Sequence, residues 1–254
     1  MTALPREILI CAIAGLLHDV RHVAVGASSP MPAAGAMLRR ALVEDRRKVR
    51  LSILGSVEHN FFTNGSAELF DSAGQGRLDA FFLGGGQIDG MANVNLVGVG
   101  AYPRMSVRWP GSFGSAYLYF TVPRVILFRE EHSPRVLVEK VDFISAPGIS
   151  APETHRPGGP VALLTSKALF SFDSQRPGFR LESVHPGHSL PEIIKATGFT
   201  FDHDDTPPLT PEPDAATLSL LRGRVLDELS ETYPAFAAQW RRDLAETIPH
   251  GASA

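Results

Sequence analysis

Short apolar runs alternate with stretches of helical spacing along the first half of the chain. The runs are rich in β-branched and large apolar residues, so each is predicted to be a buried strand. They occupy residues 21–26, 49–54, 78–83 and 122–128. The stretches of helical composition occupy residues 5–19, 33–43 and 66–74, with Pro5 in a first turn and Ser66 as an N-cap. Strands that alternate with helices predict an α/β domain.

The second half of the chain carries a different pattern. Two strand-like segments, 161–172 and 179–184, flank the turn 174–178 and predict a hairpin typical of a sheet edge. Residues 145–160 contain four prolines and three glycines and are predicted to be a long loop. Periodicity leaves residues 136–144 open between strand and helix.

A proline-rich segment separates the C-terminal helices from the rest of the chain. Residues 206–213 contain four prolines, which predicts a rigid linker. Residues 214–229 and 233–244 follow with amphipathic helical spacing. We therefore predict one α/β domain over residues 1–205, and a linker with helices over residues 206–254 that packs on this domain or on another subunit.

The stretch from residue 81 to residue 100 holds the strongest candidate for a site. A glycine triplet at 84–86 and an Asp-Gly pair at 89–90 interrupt two apolar runs, so two strands are predicted to meet at a turn. Glycine permits positive φ and lets a ligand approach the backbone. A second glycine-containing loop at 109–115 follows about 25 residues later. The two loops together are predicted to line one pocket.

Composition narrows the functional class. Of 254 residues, 44% are hydrophobic, and the formal net charge is −3, without a basic stripe interleaved with aromatics. Nucleic acid is therefore not an expected partner. The single cysteine, Cys11, provides neither a disulfide framework nor a metal cluster, and a cytoplasmic location is predicted. Residues 8–17 are apolar but too short to span a bilayer, so we expect a buried first helix and no membrane partner.

Three motifs follow one another along the chain, and their order and spacing together indicate a protein family. The first is Gly84-Gly85-Gly86-Gln87-Ile88-Asp89-Gly90-Met91-Ala92-Asn93-Val94-Asn95. The others are Pro110-Gly111-Ser112-Phe113-Gly114-Ser115, and His185-Pro186-Gly187 followed by Ala196-Thr197-Gly198-Phe199. Over residues 5–205 the set resembles the β subunit, or β half, of family I coenzyme A transferases of the glutaconate CoA-transferase type.

This resemblance implies a fold, a partner and a substrate. The fold is an open three-layer α/β/α sandwich with a mostly parallel sheet, the isomerase-like fold of that family, here with a C-terminal helical extension. The partner is a homologous α subunit, in a heterodimer or heterotetramer, and the acyl-CoA lies in the cleft between the subunits. Coenzyme A then enters as part of the substrate, and no permanently bound cofactor is expected.

One departure from the family pattern concerns the attacking residue. In the transferases a β-subunit glutamate follows the strand that corresponds to residues 49–54, whereas this chain has Leu54, Gly55 and Ser56 there. The nearest carboxylate, Glu58, comes two to four residues later, a displacement of several ångströms at about 3.3 Å per residue. Glu58 is nevertheless the candidate catalytic residue of this chain. In lacking the family's β-subunit glutamate, the chain resembles a subgroup of the family that opens cyclic acyl-CoA rings in steroid catabolism. In that subgroup the catalytic glutamate lies in the α subunit.

The predicted substrate-binding residues follow from the two glycine loops. Backbone N–H groups in such turns hold an oxyanion or a thioester carbonyl, and amide side chains add donors. The predicted set is Gly84, Gly85, Gly86, Gln87, Asn95, Gly111, Ser112, Phe113 and Gly114. Asp89 is expected to be a turn former.

Several functional hypotheses therefore remain open from the sequence. Hydrolysis or ring opening of an acyl-CoA is favoured over CoA transfer. A non-catalytic scaffold or regulatory subunit is the rival hypothesis from another class, and a sugar-phosphate isomerase-like enzyme is the third.

Overall fold

The computed structural model describes residues 2–247. The helices are α1 (Pro5–Leu16), α2 (Pro30–Leu42), α3 (Gly65–Gly74), α4 (Ser115–Thr121), α5 (Leu190–Ala196), α6 (Ala215–Leu220), α7 (Leu226–Thr232) and α8 (Pro234–Thr247). A 3₁₀ turn covers Arg46–Lys48, and a π-helical turn at Leu221–Val225 joins α6 to α7. The strands are β1 (His22–Val25), β2 (Arg50–Ile53), β3 (Ala80–Leu83), β4 (Gln87–Ile88), β5 (Val94–Asn95), β6 (Gly98–Val99), β7 (Val107–Arg108), β8 (Arg124–Arg129), β9 (Pro160–Thr165), β10 (Ala168–Asp173) and β11 (Gly178–Val184).

Seven strands form the central sheet in the order β11-β10-β9-β8-β3-β1-β2. Strands β2, β1, β3, β8 and β9 run parallel, and β10 and β11 add an antiparallel edge. The short strands pair separately, β4 with β5 and β6 with β7. The mostly parallel sheet and the hairpin at its edge are both confirmed.

Side chains along the central strands alternate between two apolar cores, one on each face of the sheet. Val23 and Val25 of β1 enter the core formed with α1, α2 and the C-terminal helices, and Ala24 enters the other core. Phe82 of β3 and Ile126 of β8 join the first core, while their neighbours along the strands join the second. Because a strand places successive side chains on opposite faces, burial on both faces requires helices on both sides. The predicted α/β/α layering is confirmed.

The described part of the C-terminal segment packs on this domain. Trp240 of α8 is fully buried in the first core, together with apolar residues of α6 and α7. Arg222 forms an ion pair at 2.7 Å with Glu7, which is fully buried in α1. Residues 248–254 of the predicted segment lie outside the described residues. A contact with another subunit stays a prediction.

Three expectations about local structure are wrong. Residues 136–144 form neither a helix nor a strand, and Leu137 makes an isolated bridge to Ile88. The 161–172 segment is two antiparallel strands, because Thr165 Oγ1 accepts the N–H of Ala168 at 3.1 Å and closes a turn. Helix α3 begins at Gly65 without a side-chain cap from Ser66. Its first turn is instead held by Glu68, which accepts the Thr63 N–H at 2.6 Å.

Candidate functional site

The order of strands reverses next to β1. The chain passes from β1 to β2 on one side and then to β3 on the other. In an open parallel sheet, such a reversal leaves a crevice at the carboxyl ends of the strands, where ligands bind. A cavity of about 380 Å³ lies at this place. The β1–α2 loop at residues 28–32, Phe82 and Gly84 at the end of β3, and residues 128–131 at the end of β8 line it.

Charged groups at the end of β8 give this cavity a polar wall. Arg129 Nη2 lies 3.7 Å from Glu131 Oε2, and Arg135 lies 2.5 Å from the same oxygen. The Ser133 hydroxyl and Arg135 lower the pKa of Glu131. A cation and an ionised carboxylate therefore stand beside the Gly84 backbone. The sequence predicts only a charged turn for this segment.

The glycine triplet allows neighbouring side chains to pack closely against the backbone, in addition to the ligand approach predicted from the sequence. A Cβ added at Gly85 would lie 2.7 Å from Val94 Cγ1, and one added at Gly86 would collide with the ring of Trp109. These approaches are too close for any side chain. The Trp109 contact brings the two predicted glycine loops together. Of the two loops, however, only Gly84 lines the cavity at the strand reversal, so the prediction that both loops line one pocket is not met at this cavity.

Gln87 and Asn95 face each other across the β4–β5 ribbon, and their amides are engaged internally. Asn95 Nδ2 donates to Gln87 Oε1 and to the Gly98 carbonyl, each at 2.7 Å. Asn95 Oδ1 accepts the N–H of Val97 at 2.9 Å. Gln87 Nε2 donates to Asp142 Oδ2 at 3.1 Å. The side-chain donors expected for a ligand thus anchor the ribbon, and their binding role stays a prediction without support from this geometry.

Asp89 has the turn-forming role expected of it. Its Oδ1 accepts the N–H groups of Met91 and Asn93, each at 3.1 Å. Asn93 in turn accepts the Gly148 N–H at 3.1 Å. The Gln-Ile-Asp and Asn-x-Asn parts of the first motif therefore form one hydrogen-bonded framework that fixes the loop after β3.

The second glycine loop packs against Phe70 of α3. Phe113 is 83% exposed and lies 5.5 Å from the ring of Phe70, centroid to centroid. Phe70 also covers Gly114, where an added Cβ would collide with its ring. Gly111 has open space around its Cα. The predicted roles of Gly111, Ser112, Phe113 and Gly114 in substrate binding stay predictions.

The β2–α3 loop is held by two carboxylates of α7. Glu231 Oε2 accepts the Ser56 hydroxyl, and Glu231 Oε1 accepts the Val57 N–H, both at 2.7 Å. Glu228 pairs with Arg40, and its Oε1 lies 2.9 Å from His59 Nε2. This contact lacks the geometry of a hydrogen bond, and His59 Nε2 is buried without a hydrogen-bond partner among residues 2–247.

The candidate Glu58 lies on the outside of this loop. Its side chain is exposed, whereas His59 beside it is buried. Burial and the nearby Arg40 lower the pKa of His59. The two neighbours therefore point to different environments, and the catalytic role of Glu58 stays a prediction.

Removing the Glu231 carboxylate is expected to loosen this loop. In Glu231→Ala the Val57 N–H loses a charge-assisted hydrogen bond, which is worth about 1.5–3 kcal/mol. Hydrogen exchange of the Val57 amide should accelerate tenfold or more, measured by NMR or mass spectrometry. Glu246→Ala on the exposed side of α8 is the matched control. Unchanged exchange in Glu231→Ala would show that the loop is held by other contacts.

Sequence reasoning missed the carboxylates of α7 because they lie about 175 residues from the loop that they hold. Only the packing of the C-terminal helices brings them together. A sequence cue existed in the mixture of carboxylates and apolar residues on this helix, but such a pattern is also typical of a solvated helix face.

Two buried histidines, His185 of the third motif and His132, lie on either side of Thr165. His185 Nε2 lies 3.0 Å from the Thr165 carbonyl, and its Nδ1 lies 2.7 Å from Thr210 Oγ1. His132 bridges Thr165 Oγ1 at 2.7 Å and Thr197 Oγ1 at 2.9 Å. Burial lowers the pKa of each histidine to about 4. Both rings are therefore neutral connectors between the hairpin, α5 and the linker.

No set of three or more His, Cys, Asp or Glu side chains within residues 2–247 is arranged to hold a metal ion. Over the same residues, no helix has both the length and the apolarity needed to cross a bilayer.

The fold and the crevice define an open α/β protein of the type that binds a ligand at a strand reversal. Residues 42–196 match the coenzyme A transferase family model, and the chain belongs to this family. It is 31% identical over 153 residues to the B subunit of 3-oxoadipate CoA-transferase from Pseudomonas knackmussii, covering 58% of each chain. It is 30% identical over 151 residues to the B subunit of glutaconate CoA-transferase from Acidaminococcus fermentans, covering 57% of this chain and 56% of the relative.

The matched region thus spans less than two thirds of either relative. A solved structure of the decarboxylase AibA/AibB is similar over a longer range. It covers 87% of this chain and 94% of that chain, with 25% identity and a TM-score of 0.74. The resemblance drawn from the three motifs is confirmed at the level of the family.

Proposed function

We propose that this chain is the β-like subunit of a heteromeric acyl-CoA enzyme, and that the complex hydrolyses or ring-opens a cyclic acyl-CoA. The identity of Leu54 carries the proposal. Its N–H donates to the Val25 carbonyl at 3.0 Å, so its backbone continues the β2 ladder at the place implied for the family's attacking glutamate. An alkyl side chain cannot attack a thioester. Residue 54 of this chain therefore cannot carry CoA covalently during the reaction.

Two observations support acyl-CoA as the substrate class. The cavity at the strand reversal offers the Gly84 backbone beside a charged wall. The two relatives compared by sequence are named as subunits of CoA transferases. Coenzyme A enters as part of the substrate, and the working carboxylate belongs to a homologous α subunit in a heterodimer or heterotetramer.

Transfer through Glu58 is the alternative within the same family. Glu58 is exposed, and within residues 2–247 no side chain forms a hydrogen bond or an ion pair with it, while Glu231 and Ser56 fix the residues on either side. Nucleophilic attack requires the reacting atoms to be held about 3–3.5 Å apart in a defined direction. This requirement favours the α-subunit carboxylate over Glu58.

The experiment is co-expression with an adjacent candidate α subunit, followed by assays of acyl-CoA loss with and without an acceptor acid. We expect CoA-ester loss without an acceptor, no CoA adduct on this chain by mass spectrometry, and a Glu58→Gln complex as active as the wild type. Glu246→Gln serves as the matched carboxylate control. A glutamyl-CoA adduct on a peptide of this chain would overturn the proposal and favour transfer.

A scaffold role has one observation in its favour, the internal use of the Gln87 and Asn95 amides. Gly84→Val separates the two hypotheses, because a Cβ at Gly84 lies 3.2 Å from the Phe128 carbonyl and narrows the cavity. A subunit that holds substrate should show a raised KM, with thermal unfolding recorded to exclude a folding defect. Unchanged kinetics would favour the scaffold. Titration with acyl-CoA against sugar phosphates tests the isomerase-like hypothesis.

A further inference from the structure

A second cavity lies at the amino ends of the parallel strands, opposite the crevice described above. It has a volume of about 420 Å³, and Arg21, Arg50 and Arg77 line it. Arg21 precedes β1, Arg50 opens β2, and Arg77 comes just before β3, so the three arginines lie at the amino ends of three adjacent strands. The sheet thus gathers three guanidinium groups that are far apart in the sequence.

Most of the donors on these arginines are not used within the protein. Over residues 2–247, the guanidinium groups of Arg50 and Arg77 form neither an ion pair nor a hydrogen bond, and Arg50 stacks 4.8 Å from the centroid of Phe61. Arg21 lies 3.6 Å from Asp79. Glu68, the carboxylate in the cavity wall, accepts hydrogen bonds from Thr63 instead. The guanidinium donors of Arg50 and Arg77 are therefore available to a ligand.

The floor of the cavity is built from a fixed histidine. His22 Nδ1 lies 2.9 Å from the Arg77 carbonyl, and its Nε2 lies 2.8 Å from Ser52 Oγ. Because a carbonyl only accepts, Nδ1 carries the proton, and the Ser52 hydroxyl donates to Nε2. The ring thereby holds the loop that carries Arg77. The cavity has a defined base under its exposed arginine side chains.

We propose that this cavity binds the phosphate group of a small phosphorylated ligand. Three arginines face Glu68 in the lining and Asp79 beside Arg21, which leaves a net positive charge that favours an anion. Guanidinium groups bind phosphate oxygens through paired N–H donors. The volume equals that of roughly fourteen water molecules at about 30 Å³ each, which leaves room for more than the phosphate.

This site is separate from the crevice at the strand reversal, because it lies at the amino ends of the same strands. Two sources supply a phosphate monoester, a phosphorylated metabolite and the 3′-phosphate of coenzyme A itself. Comparing CoA with dephospho-CoA distinguishes them, since only CoA carries that monoester. The proposal stands independently of which subunit carries the catalytic carboxylate.

The test is isothermal titration of the full chain at low salt with inorganic phosphate. We expect binding that weakens as NaCl is raised, and at least tenfold weaker binding in Arg50→Gln/Arg77→Gln, since a charged hydrogen bond is worth about 1.5–3 kcal/mol. Arg176→Gln, whose side chain is 92% exposed, is the matched control and should bind as the wild type does. Thermal unfolding without phosphate verifies that the variants are folded.

Two further titrations identify the source of the phosphate. Displacement of phosphate by CoA but not by dephospho-CoA would support binding of the substrate's own phosphate, and displacement by neither would support a separate metabolite. Equal phosphate affinity in the wild type and the double variant, or an absence of heat at millimolar phosphate, would overturn the proposal.

Discussion

Replacing Asn95 with leucine is expected to lower the free energy of unfolding by about 3–5 kcal/mol. The Asn95 side chain is fully buried, and it serves the Val97 N–H, the Gly98 carbonyl and the Gln87 amide. Leucine fills a similar volume but pairs with none of them. Each buried group left without a partner costs about 1–3 kcal/mol. Urea unfolding followed by circular dichroism measures the loss.

Asn64→Leu is the matched control, because Asn64 is exposed and makes no side-chain cap bond at the start of α3. Its stability should stay within about 0.5 kcal/mol of the wild type. Asn95→Asp separates anchoring from substrate binding, since it keeps the acceptor for Val97 but turns the donor into a second acceptor facing Gln87. A stable Asn95 variant with a greatly raised KM would restore the substrate-binding role.

The alternation of strands and helices was predictable because each strand of the parallel core is buried on both faces. Such strands appear in the sequence as continuous apolar runs, and the helices between them keep their own spacing. The edge hairpin was predictable for a related reason, since its turn residues at 174–178 interrupt two β-rich segments. The family was predictable because three motifs occur in the order and spacing that are typical of it.

The chemistry of individual polar residues was not predictable in the same way. An amide such as Gln87 has the same sequence signature whether it binds a ligand or anchors a ribbon, and only the position of Asp142 decides between them. Residues 136–144 have an apolar pattern because they cover the β4–β5 ribbon, not because they form an element. The hold of Glu231 on Ser56 depends on how a distant helix packs.

The position of the cavity at the strand reversal could be inferred only with the strand order in hand. The sequence indicates that loops follow strands, but the placement of β1 between β3 and β2 comes from the pairing of the sheet. Gly84 was identified from sequence because glycines after a strand are conspicuous. Arg129 and Glu131 were not, since charged residues in a turn are usually solvated.

Lowering the pH from 6.5 towards 4 is expected to destabilise the protein through His132 and His185. Each has a folded-state pKa of about 4, and an unfolded-state pKa near 6.5. In this window the unfolded chain binds more protons, so stability rises with pH, is fully present above 6.5 and is lost as the pH falls. The slope contributed by each histidine is at most about 1.4 kcal/mol per pH unit.

The acidic group nearest to this pair, Glu192, affects stability only at the acidic end of this pH range. Glu192 lies 2.5 Å from Lys167 and 3.1 Å from His188, and these hydrogen bonds lower its pKa to about 2. Its contribution to stability is present above its unfolded-state pKa of about 4.3 and is lost as the pH falls from there towards 2, so it overlaps only the acidic end of the histidine window.

Urea unfolding at intervals between pH 4.5 and 7.5 measures the slope, and His185→Gln assigns it. Glutamine retains a donor and an acceptor near Thr165 and Thr210 but does not titrate, so the slope should fall by the share of one histidine, at most about 1.4 kcal/mol per pH unit, even if the variant is less stable at every pH. Asn64→Leu, which removes no titratable group, should leave the slope unchanged. A slope that is unchanged in His185→Gln would show that His185 does not contribute to the pH dependence of stability.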